Sequence, residues 1–120
     1  MPRAPLPPPS PLPAAWFHLL LALADQDRHG YALMKAVAEE SAGRIRLGPG
    51  TLYGALKRLL DLRLIEESQI RPDPELDDER RRYYRLTPAG RRVVGAEAAR
   101  HAQLVGLARA KRVLPRPRPA

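Results

Sequence analysis

The sequence has no cysteine. That excludes a disulfide scaffold, a Cys-ligated zinc finger, an iron–sulfur site and a thiol nucleophile, and it fits a reducing compartment. Aromatics are scarce: one Trp, one Phe and four Tyr among 120 residues. Acid is short as well, with 13 Asp and Glu against 21 Lys and Arg and a formal net charge of +8. Such an excess points to a polyanionic partner, of which nucleic acid is the commonest. No apolar run approaches the ~20 residues that span a bilayer, so no membrane partner is expected. Arg3, the apolar run Ala14–Leu23 and Ala22-Leu23-Ala24 loosely mimic a signal peptide. Against export, the leading segment is mostly proline, His18 interrupts the run, and the run is needed as a core helix. A cytoplasmic protein is the expectation. The length suits one small domain or one protomer of an assembly, since domains run to roughly 100–150 residues.

Arginine and proline are what the chain does have. Eighteen of the 21 basic residues are arginine, and seven of the 14 prolines fall in MPRAPLPPPSPLP. Each proline lacks a donor and fixes its own φ, so residues 1–13 read as a disordered, polyproline-like tail. A docking role for SH3-type or WW-type domains is the lesser reading of it. Residues 114–120 read as a second, basic tail. Charge comes in blocks. Arg44, Arg46, Lys57 and Arg58 lie in a stretch without acid; Asp73, Glu75, Asp77, Asp78 and Glu79 form an acidic block; Arg80, Arg81, Arg82, Arg85, Arg91 and Arg92 follow it. After Glu79 the only acid is Glu97.

The elements follow from periodicity and punctuation. Ala14–Ala24 is apolar nearly all round, as a helix buried on more than one side must be. Asp25–Arg28 is a polar break. A second helix runs from His29 to about Ala42 and ends at Gly43. Gly48-Pro49 opens a third, because proline suits the first helical position. That helix runs to about Leu62, with Leu52, Leu56, Leu59 and Leu60 in one stripe. Leu64–Arg71 reads as a strand, stopped by Pro72 and Pro74. The acidic block is a hairpin loop and Arg80–Leu86 the return strand, with Arg81, Tyr83 and Arg85 on one face and Tyr84 and Leu86 on the other. Thr87 caps a last helix, Pro88 to about Val113. The fold class is mainly α with a two-stranded β-wing. It comprises a winged helix-turn-helix over residues 14–87 and a C-terminal dimerisation helix over 88–113.

Candidate sites follow from that arrangement. For DNA they are Gly50, Thr51, Tyr53, Lys57 and Arg58 on the third helix, with Arg80, Arg81, Arg82 and Tyr83 at the base of the wing. A helix N-terminus favours phosphate, Thr and Tyr hydroxyls reach phosphates or base edges, and Arg reads guanine. Gly54 permits close approach of the backbone. The acidic tip of the wing should face away from DNA. It is a poor metal site, having no His and no glycine-shaped loop. His29 has no nucleophile or acid partner in a recognisable setting, so a local structural role is expected and no enzyme activity or cofactor. Tyr31 is expected beside the third helix. In the last helix Val94, His101 and Ala108 recur every seven residues, flanked by Ala98, Leu104 and Val105, a narrow seam for a partner helix. Gly95 and Gly106 each cost on the order of 1 kcal/mol there, which a second copy would offset. Trp16 and Leu20 of the first helix are expected to join that dimer contact; a ligand pocket around Trp16 and Phe17 is the lesser reading.

HGYALMKAV (29–37), LGPGTLYGALKRL (47–59), RLI (63–65) and DERRRYYRLTPAG (78–90) together resemble the PadR-type transcriptional regulators, over about residues 15–92. The short C-terminal helix is similar to that of the compact branch. The resemblance implies a dimeric winged-helix repressor of double-stranded DNA, dimerised largely through its last helix. Some such regulators respond to phenolic acids or hydrophobic drugs. The chain departs from the pattern at Arg63, where a glycine is usual, at Gly54, where a proline is common, and in its acidic, proline-rich wing tip. Two rivals to this reading are a winged-helix adaptor without specific DNA binding and a small hydrolase using the acidic cluster.

Overall fold

The computed structural model describes residues 7–68 and 82–115. In chain order its elements are α1 (Ala14–Ala22), β1 (Arg28–His29), α2 (Gly30–Glu40), α3 (Pro49–Asp61), β2 (Ile65–Ser68), β3 (Tyr83–Leu86) and α4 (Pro88–Ala110). The expected acidic loop and the strand ends around it, with Arg80 and Arg81, lie outside the described residues. The helices appear where periodicity placed them, each a residue or more shorter. The architecture is a winged helix: three helices, a small antiparallel sheet and a final helix.

The sheet has three strands rather than the expected two, in the order β1-β3-β2. Arg28 pairs with Tyr84 and His29 with Tyr83, while Ile65 pairs with Leu86 and Glu67 with Tyr84. A two-residue strand has no alternation to read, and its partner lies far along the chain, so the polar break concealed it. His29 serves twice. It is in β1, and its Nδ1 caps α2 by accepting from the Ala32 N–H at 3.2 Å.

The core gathers Leu19 and Leu20 of α1, Leu33 and Val37 of α2, and Leu52, Leu56 and Leu59 of α3, all at 1% exposure or less. Two arginines bind the turn after α1 instead of facing a partner. Arg28 Nε donates to the Ala22 carbonyl at 2.7 Å and Arg91 Nη2 to the Ala24 carbonyl at 3.0 Å. Leu12 also belongs to this core. The chain is therefore packed ahead of residue 14, where the boundary of the solvated tail was expected.

A single joint fixes α3 against the sheet and α4. The α3 end is closed by the Leu64 N–H on the Leu59 carbonyl and the Arg63 N–H on the Leu60 carbonyl, both at 3.0 Å. This closure puts its αL residue at Arg63, with φ +60°, where glycine is at ease and arginine is strained. The family's glycine position is thus a left-handed position, filled here by arginine. Thr87 ties the joint. Its hydroxyl donates to the Arg63 carbonyl at 2.7 Å and accepts from the Gly90 N–H at 3.0 Å, and its own N–H reaches the Leu64 carbonyl at 3.1 Å. A Cβ on Gly90 would stand 1.9 Å from the Leu64 oxygen, so only glycine fits.

Candidate nucleic-acid interface

The helix α3 presents two different faces. Leu52, Ala55, Leu56 and Leu59 are buried, whereas Gly50, Thr51, Tyr53, Gly54, Lys57 and Arg58 are exposed. Nothing lies within 4 Å of where a side chain on Gly50 or Gly54 would begin, so the backbone there is open to a close ligand. Tyr53 is 53% exposed but not loose. A Cβ on Gly30 would fall 2.6 Å from its hydroxyl, so the start of α2 and the Tyr53 ring meet over a glycine. Among the described residues Lys57 and Arg58 have no carboxylate within salt-bridge distance, nor do Arg44 and Arg46 on the loop before α3.

The sheet is different. Arg85 Nε lies 2.8 Å from Glu66 Oε1, and Arg82 Nη1 lies 3.4 Å from Glu67 Oε1. Tyr83, expected at the DNA surface, is buried at 7% exposure with its ring edge-on to His29, centroids 5.3 Å apart. The unforeseen β1 makes β3 the central strand and sets the His29 side chain against the Tyr83 ring that was to stand open. Tyr84 is buried too, and burial, followed by the Glu67 charge, raises its phenol above the ordinary value. Tyr31, expected beside α3, is mostly exposed and lies next to the His29 ring. Among the described residues no group of three or more acids and histidines could hold a metal ion.

The expected dimer seam divides. Val94 is buried in its own domain, as is Leu20, and neither is free to meet a second copy. The first turns of α4 fold back onto α1, and the His101 ring stacks on Phe17 at 4.8 Å. Trp16 is half-buried against the core, Ala98 is exposed and Ala108 is half-buried. Further along, Leu104, Val105 and Leu107 are 49%, 38% and 51% exposed. Heptad spacing alone could not divide the seam, because α4 keeps one period while its neighbours change.

One group was missed entirely. Glu97 is a buried carboxylate, held by Arg100 through Oε1–Nε at 3.0 Å and Oε2–Nη2 at 2.8 Å. Its isolation as the last acid in the sequence was the available signal.

Comparison with known proteins agrees with this geometry. The transcriptional regulator PadR-like family model matches residues 19–96. An uncharacterized 37.1 kDa protein in transposon TN4556 of Streptomyces fradiae is 43% identical over 88 residues, 73% of this chain and 23% of that protein. Transcriptional regulator Rv3488 of Mycobacterium tuberculosis is 38% identical over 79 residues, 65% of this chain and 66% of its own length. The chain thus spans less than two thirds of either relative. Among solved structures, a PadR family regulator from Clostridium difficile R20291 superposes with a TM-score of 0.65 at 23% identity, over 82% of this chain and 97% of that one. Bordetella bronchiseptica BpsR, whose DNA binding is regulated by 6-hydroxynicotinic acid, gives a TM-score of 0.61 at 30% identity, over 86% of this chain and 69% of its own. With a winged-helix fold and a family match over residues 19–96, more than half of its length, the chain belongs to the PadR-like family of transcriptional regulators.

Proposed function

We propose that this regulator binds double-stranded DNA as a cytoplasmic homodimer and represses transcription by occluding a promoter. The observation that carries the reading is the outer face of α3: two hydroxyls, two cations with no carboxylate partner among the described residues, and two open glycines on one buried-backed helix. Such a face fits a major groove, with the amides of Gly50 and Thr51 on a phosphate and Arg58 within reach of a guanine edge. The wing adds Arg80 and Arg81, whereas the charge of Arg82 is offset by Glu67. The apolar side chains of Leu104, Val105 and Leu107 supply the surface for a second copy, which would set two recognition helices about one helical turn of DNA apart. Release by a small aromatic or hydrophobic ligand is part of the same reading, supported by the ligand named for BpsR. Fluorescence anisotropy with a labelled duplex from the protein's own upstream region tests it. Affinity should fall steeply and linearly in log–log form as salt rises. No measurable binding at low salt would refute it.

A further inference from the structure

Glu97 is the one buried charged residue among those described, and its neighbours come from both directions along the chain. Arg100 takes both carboxylate oxygens, and Leu12 lies beside the carboxylate from the N-terminal side. The Arg100 hydrogen bond first, then the Arg100 charge, holds the acid below its ordinary value against the opposing effect of burial. The Leu12 side chain enters the core at 8% exposure. Ahead of it, Pro8, Pro9 and Ser10 face Ala96, Glu97 and Arg100 of α4 across a cavity of about 180 Å³. On its other side Pro7 and Pro9, with Trp16, face Arg58 and Asp61 of α3 and Leu62 just after it across a cavity of about 480 Å³. The segment therefore lies between α4 and the far end of the recognition helix, touching the surroundings of a residue in the candidate interface.

We propose that residues 7–13 form a strap, seated on α4 beside Glu97, that couples α4 to α3 and so sets how tightly the recognition helix holds DNA. The chemistry suits the role. Prolines 7, 8, 9, 11 and 13 leave the segment little backbone freedom to lose on docking. Glu97, already neutralised by Arg100 on its own helix, can be covered by the segment without leaving an unpaired charge beneath it. Trp16 gives the prolines an apolar wall. The docking half of the proposal stands on these contacts alone; the coupling half rests on the DNA-binding reading.

The full-length protein tests it, using its single Trp and its lack of cysteine. In Glu97→Ala and Leu12→Ala the helix content should be retained, acrylamide quenching of Trp16 should rise, and affinity for the upstream duplex should weaken roughly 2- to 30-fold, the range for coupling through a packed element. Conversely, Ser10→Cys with Ala96→Cys, joined by a short bismaleimide, should cross-link within one chain and keep wild-type affinity. That double variant retains Glu97 and Leu12, so it decides the matter even if the truncations unfold. Unchanged Trp16 quenching in folded variants, or no intrachain cross-link, overturns the docking. Freed Trp16 with unchanged DNA affinity overturns the coupling. A wild-type protein that fails to bind DNA while the cross-link forms sinks the DNA reading, and the coupling with it, but leaves the docked strap standing.

Discussion

The outer face of α3 and the sheet beside it each present two cations to solvent, in opposite condition. Among the described residues Lys57 and Arg58 stand without carboxylates, while Arg82 and Arg85 lie against Glu67 and Glu66. Exposed ion pairs contribute little to stability, with a median of about 0–1 kcal/mol. They do, however, cancel the field that a phosphate would feel. The net charge of +8 is therefore a poor map of the binding surface. Arg28 and Arg91 are committed to carbonyls of the α1 turn and Arg100 to Glu97. Among the described residues Arg44, Arg46, Lys57 and Arg58 form one group of exposed cations without a carboxylate, on α3 and the loop before it, while Lys35, Arg63, Arg92, Lys111 and Arg112 stand elsewhere on the surface.

The comparison breaks most completely at the joint that both regions share. Gly90→Ala forces a Cβ into the Leu64 carbonyl and should destabilise the fold by roughly 3 kcal/mol or more, read as a large fall in Tm. Next comes the contrast itself. Arg58→Ala should weaken specific DNA binding by about 1–3 kcal/mol in an anisotropy titration, whereas Arg85→Ala should change it by only a few tenths. Equal losses would mean that pairing with Glu66 does not withdraw Arg85 from the interface. Leu104→Ser should weaken self-association by roughly 1–2 kcal/mol in sedimentation equilibrium, since its side chain is half-exposed in the single chain. Arg63→Gly acts in the other direction. It relieves the positive φ at the end of α3 and should stabilise by up to about 1 kcal/mol in urea unfolding.

The smallest effect is on pH. Glu97 has a folded pKa below its unfolded one, so its contribution is complete at neutral pH and above the ordinary carboxylate value of about 4.3. It is lost as pH falls from there through the depressed folded value. Stability followed by Trp16 fluorescence should be flat from neutral pH to near 5 and should decline below 4, less so in Glu97→Gln.

The helices were legible because each carries its own evidence: the leucine stripe of α3, Pro49 and Pro88 at first helical positions, Thr87 as a cap. The motifs 47–59 and 78–90 located α3 and the joint, and the TPAG glycine has a steric reason in the Leu64 carbonyl. What could not be read was anything defined by a distant partner. The strand β1 is two residues long and exists only through β3, and that one pairing turned Tyr83 from surface to core. Val94 and Ala108 share a heptad register, yet α1 covers only the first. Residues 7–13 look like a solvated tail by composition, and the packing of Leu12 into the core beside Glu97, far along the chain, shows otherwise.

The central claim is that α3 is the DNA-reading surface by virtue of cations with no carboxylate partner among the described residues. A salt series on the upstream duplex with wild type and with Lys57→Ala/Arg58→Ala tests it most directly. The account predicts tight wild-type binding at low salt, with a log–log slope steeper than the variant's by roughly one to two units. Identical slopes in a folded variant, or no wild-type binding at low salt, would contradict it.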